Sequence, residues 1–191
     1  MSNLLTKLIN YRNDPLGFIE EFVYYKDVRH GYRQISLTVK QKEIIRDILL
    51  SGDNEISYED EDRQIGKTTA FISALTHYIT YNTDKTIIIL ASKHNRAVDI
   101  LYSFAQMYEY LPDVIKNKIV KQTKSFIEFD NGCRIYASSI SSSSLRGLCP
   151  SMVYIDESQF VSDREHDNFS KMYEPVYRGL NSKIIKLSSP R

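Results

Sequence analysis

The stretch Thr86-Ile87-Ile88-Ile89-Leu90-Ala91 is β-branched or apolar at nearly every position rather than at alternate ones. A strand of that kind has no face to give to water, so it must run inside a sheet covered on both sides, the situation of parallel strands in α/β proteins. The flanking sequence fits. Lys67–Tyr81 carries Phe71, Leu75, Tyr78 and Ile79 at helical spacing as its buried side, and Asn95–Leu111 reads as a second helix ended by Pro112. Glu55–Glu59, Met152–Ile155 and Lys183–Leu187 are further strands. Phe126–Phe129 and Cys133–Tyr136 form a hairpin across Asp130-Asn131-Gly132, and Asp163–Tyr177 is helical within the limit set by Pro175. Upstream, Asp14-Pro15 opens a short helix, Gln34–Leu37 is a short strand, and Thr38 caps a helix with Ile44, Ile45, Ile48 and Leu49 on one face, stopped by Ser51-Gly52. Strands alternating with helices predict an α/β fold, a mostly parallel sheet flanked by helices. Residues 1–52 form an N-terminal helical segment and 53–191 the α/β core.

The 191 residues suffice for one sizeable core, and 42% hydrophobic content with a net charge of +1 excludes disorder as the main state. Apolar runs fall far short of the roughly 20 residues of a membrane span, and the N-terminus has no signal-peptide core. Two cysteines, Cys133 and Cys149, give no disulfide framework and point to a reducing compartment. The near-zero charge gives no global sign of nucleic-acid binding. Lys116, Lys118, Lys121 and Lys124 read as a solvated helix face, with a DNA-backbone or subunit contact as the alternative. His30, His77, His94 and His166 lack metal-ligand spacing and are assigned to surface or packing roles.

Chemistry concentrates at two places. Arg63-Gln64-Ile65-Gly66-Lys67-Thr68-Thr69 puts Gly-Lys-Thr at the opening of a helix, the second half of a phosphate-binding loop. Gly66 lets backbone N–H groups approach phosphate oxygens, Lys67 supplies a point charge, the Thr68 hydroxyl can ligate Mg²⁺, and the helix dipole points the same way. Met152-Val153-Tyr154-Ile155-Asp156-Glu157 is a strand ending in two acids. In nucleoside triphosphatases with this pairing the Asp holds Mg²⁺ and the Glu orients the attacking water. Glu61 stands where the usual loop has its first glycine, and Glu59-Asp60-Glu61-Asp62 sets four acids beside an anion site. One like-charge contact costs about 4 kcal/mol at 4 Å and surface-like dielectric, so these carboxylates must point away from phosphate or pair with cations such as Arg63.

These elements, in this order, resemble the large terminase subunit of tailed bacteriophages, nearest the long-tailed myovirus type, over about Asp14 to Pro190. The resemblance implies a P-loop NTPase core of the ASCE/RecA-like kind, incomplete at the C-terminus, since the rest of the ATPase domain and a nuclease domain lie beyond the coupling motif. Leu37-Thr38-Val39-Lys40-Gln41 is similar to the adenine-reading segment, with Gln41 as the adenine contact. Arg63 to Thr69 resembles the terminase phosphate loop, so Arg63, Gln64, Gly66, Lys67, Thr68 and Thr69 bind ATP. Thr68 and Asp156 hold Mg²⁺ and Glu157 is catalytic. Ser144-Leu145-Arg146-Gly147 resembles an arginine-bearing turn, and Arg146 in trans and Arg63 in cis both stand as arginine-finger candidates. Ser188-Ser189-Pro190 resembles the motif coupling hydrolysis to movement. The implied activity is ATP hydrolysis driving double-stranded DNA into a prohead. The implied partners are portal protein, the small terminase subunit and a homo-oligomeric ring, in the host-cell cytoplasm with no membrane. The alternatives are a helicase-type ATPase fragment, which Gln41 and Asp156-Glu157-Ser158-Gln159 also suit, and a non-hydrolysing assembly fragment.

Overall fold

The structure is a computed structural model, and it describes residues 2–27, 31–59, 66–141, 147–156, 169, 171 and 174–188. The chain divides into two compact units. One comprises Met1–Ser51, Ile65–Tyr81 and Ser103–Asn117; the other comprises Gly52–Gln64, Asn82–Tyr102 and Lys118–Arg191.

The first unit is mainly helical. Helices α1 (Ser2–Tyr11) and α2 (Pro15–Phe22) are followed by a two-stranded antiparallel ladder, β1 (Tyr24–Asp27) with β2 (Gly31–Gln34), then α3 (Val39–Leu50) and α4 (Lys67–Tyr81). The end of α5 (His94–Glu109) completes it. Asp14 caps α2 by accepting from the Gly17 N–H at 3.0 Å, with Pro15 in the first turn where its missing N–H costs nothing. Phe18, fully buried, lies edge-on to Tyr11, His77 and Tyr81. His77 Nε2 sits 2.9 Å from the Tyr11 carbonyl, and burial lowers its pKa from the ordinary histidine value. The Tyr81 hydroxyl donates to the Leu8 carbonyl at 2.9 Å, and burial pushes it up to about 12.

Helix α4 begins and ends where its pattern predicts, yet it is buried on more than one side: Ala70 through His77 and Ile79 are buried, while Tyr78 is half-buried. The reason is local. The Ser73 and Thr76 hydroxyls donate to the carbonyls of Thr69 (2.8 Å) and Ile72 (2.9 Å), so residues that look solvent-facing carry no unmet polar group into the interior.

The second unit is built on a seven-stranded sheet in the order β3-β9-β8-β4-β7-β6-β5. Its strands are β3 (Glu55–Glu59), β4 (Thr86–Ala91), β5 (Ile119–Thr123), β6 (Phe126–Phe129), β7 (Arg134–Ser139), β8 (Met152–Asp156) and β9 (Lys183–Ser188). From β3 to β7 all neighbours are parallel; β6 and β5 add an antiparallel margin. Residues 87–91 and 152–156 are buried throughout, as strands apolar on both faces require. One core packs Ile88, Leu90, Ile140, Val153, Ile155 and Ile184 with Phe169 and Tyr177, the latter on the short helix α6 (Glu174–Gly179). Lys186 on β9 reaches Glu55 on β3 at 3.0 Å and Glu174 on α6 at 3.2 Å, and Arg178 bonds both acids. Hydrogen bonds from Lys186 and Arg178 hold the Glu55 carboxyl below its usual range. Gly132 takes φ +79 in the hairpin turn, and a side chain there would meet the Asp84 carboxylate.

Two sequence expectations are corrected. Residues 35–38 carry no strand: the ladder uses Gly31–Gln34, and Ile35 and Leu37 are buried from an extended stretch in which the Ile35 N–H donates to the Val23 carbonyl at 3.0 Å. The segment bearing Lys118, Lys121 and Lys124 is not a helix face but strand β5 with its flanks. Pairing with β6 decides this, because an edge strand tolerates exposed charge on both sides. The helix expected over Asp163–Tyr177 falls mostly outside the described residues, and α6 runs past Tyr177 to Gly179. Cys133 (buried) and Cys149 (exposed) are both free thiols. Among the described residues no helix is long and apolar enough to cross a membrane.

Candidate active site

One group of the sequence-predicted site residues belongs to the helical unit. Residues 60–65 lie outside the described residues, so the expectations for Arg63 and Gln64 do too. Gly66 has a φ of +74, a conformation that side-chain-bearing residues avoid. Its carbonyl accepts the Ala70 N–H at 2.9 Å, which starts α4, and Lys67, Thr68 and Thr69 form the half-buried opening turn. That turn contains no acidic residue. A helix start of this kind presents N–H groups and a partial positive charge to an incoming anion. A cavity of about 230 Å³ opens beside it, lined by Tyr25, Thr68, Thr69, Ile72, Ser103, Gln106 and Met107.

Gln41 does two things at once. Its Oε1 accepts the Thr38 N–H at 3.0 Å and its N–H donates to the Thr38 hydroxyl at 3.3 Å, completing a capping box for α3. Its Nε2 also donates to the Gly66 carbonyl at 3.3 Å, and the side chain is only 8% exposed. The helix that carries the expected adenine reader is therefore tied to Gly66, the glycine that precedes α4. A Cβ on residue 66 would stand 2.5 Å from Gln41 Nε2. Gly66→Ala is expected to cost about 1–2 kcal/mol from its left-handed backbone and to displace the Gln41 amide. Urea unfolding and the Gln41 side-chain NH₂ resonances measure both effects; an unshifted midpoint with unmoved resonances would sink the argument.

A second group of sequence-predicted site residues belongs to the sheet unit. Strand β8 lies between β4 and β9, and its last residue, Asp156, stands in register with Ala91 and Leu187. Glu59, at the end of β3, is in register with Ser188 at the end of β9. The ends of β3, β9, β8 and β4 thus share one carboxyl edge, the edge at which parallel α/β sheets bind ligands. Asp156 is 3% exposed. The Tyr154 hydroxyl donates to its Oδ1 at 2.6 Å and Arg96 Nε donates to its Oδ2 at 2.8 Å. The expectations for Glu157, Arg146, Ser189 and Pro190 fall outside the described residues, and of Ser188 only the strand position is described.

Sequence reasoning missed Tyr154 and Arg96. Tyr154 was legible in principle: two positions before Asp156 on a strand, it shares that residue's face. Arg96 lies in the first turn of α5, directly after β4, and only the adjacency of β4 and β8 brings it to Asp156.

A mostly parallel sheet with a Gly-Lys-Thr helix start and an aspartate ending an interior strand defines a nucleotide-binding α/β protein of the P-loop NTPase class. More narrowly, the chain belongs to the family described as terminase large subunit, T4likevirus-type, N-terminal, whose model matches residues 62–185. Solved structures share the fold. The large terminase of bacteriophage HK97 superposes with a TM-score of 0.71 at 20% identity, covering 93% of this chain and 37% of that one. The large terminase ATPase domain of Thermus phage P74-26 gives 0.63 at 16% identity, covering 82% and 71%. The large terminase of another thermophilic bacteriophage, in complex with ADP, gives 0.55 at 10% identity, covering 80% and 39%. The chain therefore spans well under half the length of the HK97 protein and of the ADP-bound one.

Proposed function

We propose that this chain is the ATP-hydrolysing motor portion of a DNA-packaging terminase. One observation carries the reading: a single family match, residues 62–185, spans both the Gly-Lys-Thr helix start and the acidic strand. In this reading Lys67 and the backbone N–H groups at the start of α4 bind the β- and γ-phosphates, with Arg63, Gln64 and Thr69 as further ATP contacts. Glu157 orients the attacking water, and Arg63 in cis or Arg146 in trans stabilises charge on the γ-phosphate. Gln41 reads adenine by exchanging one of its present hydrogen bonds for the base.

Asp156 suits Mg²⁺: it is a hard oxygen donor, and this ion is held by one or two carboxylates together with phosphate oxygens rather than by a full protein cage. Asp156 and the Thr68 hydroxyl are the residues that would hold it, and when bound it supplies neutralisation of the phosphate oxygens. Ser188-Ser189-Pro190 passes the product state onward, residues 1–52 carry the adenine-reading segment, and 53–191 carry the ATPase core. The setting is a homo-oligomeric ring acting with portal protein, the small terminase subunit and double-stranded DNA in the host-cell cytoplasm. The family match favours this over the helicase reading.

Calorimetric titration with ATP and Mg²⁺ tests the proposal. The wild-type chain is expected to bind, and Lys67→Ala to weaken binding by about 10–100-fold, the loss of a charge-assisted contact worth roughly 1.5–3 kcal/mol. No detectable heat up to millimolar nucleotide favours the non-hydrolysing assembly reading instead.

A further inference from the structure

We propose that Arg96 is an internal counter-ion of Asp156, occupying its cation-binding face until magnesium and nucleotide displace it. The inference rests on the function proposed above and adds a residue to it. An ionised carboxylate that is only 3% exposed is costly unless both oxygens are compensated. Here each oxygen has its own donor, Tyr154 on Oδ1 and Arg96 on Oδ2.

The two donors are not equivalent. Tyr154 is fully buried and lies on the same strand, so it cannot leave without repacking the sheet. The Arg96 side chain is 43% exposed and arises from the first turn of α5 on a long, rotatable stem, so it can swing into water. Its location is also the wrong one for stabilising its own helix. A cation in the first turn opposes the helix dipole, which disfavours it there. The position makes sense through Asp156. While Arg96 is in place, the carboxylate is held in one orientation and its charge is neutralised. A divalent cation approaching Oδ2 must break that pair first. Its apparent affinity is then the intrinsic affinity multiplied by the fraction of molecules in which the pair is open. Tyr154 keeps its hold on Oδ1 throughout, so the carboxylate is aimed before and after the exchange.

The test uses the 191-residue chain, manganese(II) as an EPR-visible probe, and the non-hydrolysable ATP analogue AMP-PNP. Arg96→Gln retains a neutral hydrogen-bond donor but no charge. It is expected to bind Mn²⁺·AMP-PNP about tenfold more tightly than wild type, the factor corresponding to a pair worth about 1.4 kcal/mol. A merely structural arginine would give no gain in affinity when removed. In the wild-type chain, the ¹⁵N resonance of Arg96 Nε is expected to move toward its solvated position on saturation with Mg²⁺·AMP-PNP. Unchanged or weaker manganese binding by Arg96→Gln, or an Arg96 Nε resonance that stays put at saturation, overturns the proposal and leaves the nucleotide site intact. Absence of binding by both proteins overturns the functional reading and this inference with it.

Discussion

Ile88→Ala is expected to destabilise the sheet unit by about 2–5 kcal/mol, the range for removing a buried isoleucine from a packed core. Ile88 is fully buried on β4 and packs in one cluster with Val153, Ile155, Ile140, Phe169 and Tyr177. The strand is paired on both sides, with β7 and β8, so it cannot shift to fill the space, and its cavity stays open. The effect should appear in hydrogen exchange of the β4 and β8 amides, which open only when the sheet does. Because the chain has two compact units, this local readout is a better measure than a single unfolding midpoint. A conservative Ile88→Val change should cost only about 0.5–1.5 kcal/mol. Exchange rates in Ile88→Ala that match wild type would mean that this cluster does not hold the sheet together.

The elements that could be read from the sequence are those in which local pattern and global fold agree. Thr38 and Gln41 form a capping box whose two partners lie three residues apart, and the predicted helix start is the observed one. The triple isoleucine run of β4 admits one environment and occupies it. Reading failed where long-range pairing decides. Ile119–Thr123 contains charged and polar residues that no periodicity marks as a strand, and only β6 makes it one. Ile35 and Leu37 alternate like a strand because both reach the core, yet nothing beside them supplies a ladder. The same divide runs through the candidate site. Gly66, Lys67 and Asp156 announce themselves by residue type and neighbours. Arg96 lies 60 positions from Asp156, and its role depends on which strand is placed beside which.

Glu157→Ala is expected to reduce ATP hydrolysis at least about 10³-fold while leaving ATP·Mg²⁺ affinity within twofold, as for loss of a group acting on the attacking water alone. The assignment separates two adjacent acids by their work. Asp156 is anchored through Tyr154 and Arg96, so its neutralisation reaches beyond chemistry. Asp156→Asn weakens two charge-assisted hydrogen bonds, at a cost of about 1–3 kcal/mol, and under the proposed function it also removes a carboxylate assigned to magnesium. It is therefore expected to lower stability and Mg²⁺-dependent binding together. Glu157 follows directly in sequence after β8 ends. Its removal should spare both properties, because its carboxylate is assigned to water rather than to the fold or the metal. The measurement is phosphate release from γ-labelled ATP, at chain concentrations high enough to register slow wild-type turnover, beside calorimetric binding for both variants. If Glu157→Ala hydrolyses at the wild-type rate, the catalytic assignment is wrong. If it fails to bind nucleotide, the division of labour between the two acids is wrong, since Glu157 would then share the task given to Asp156.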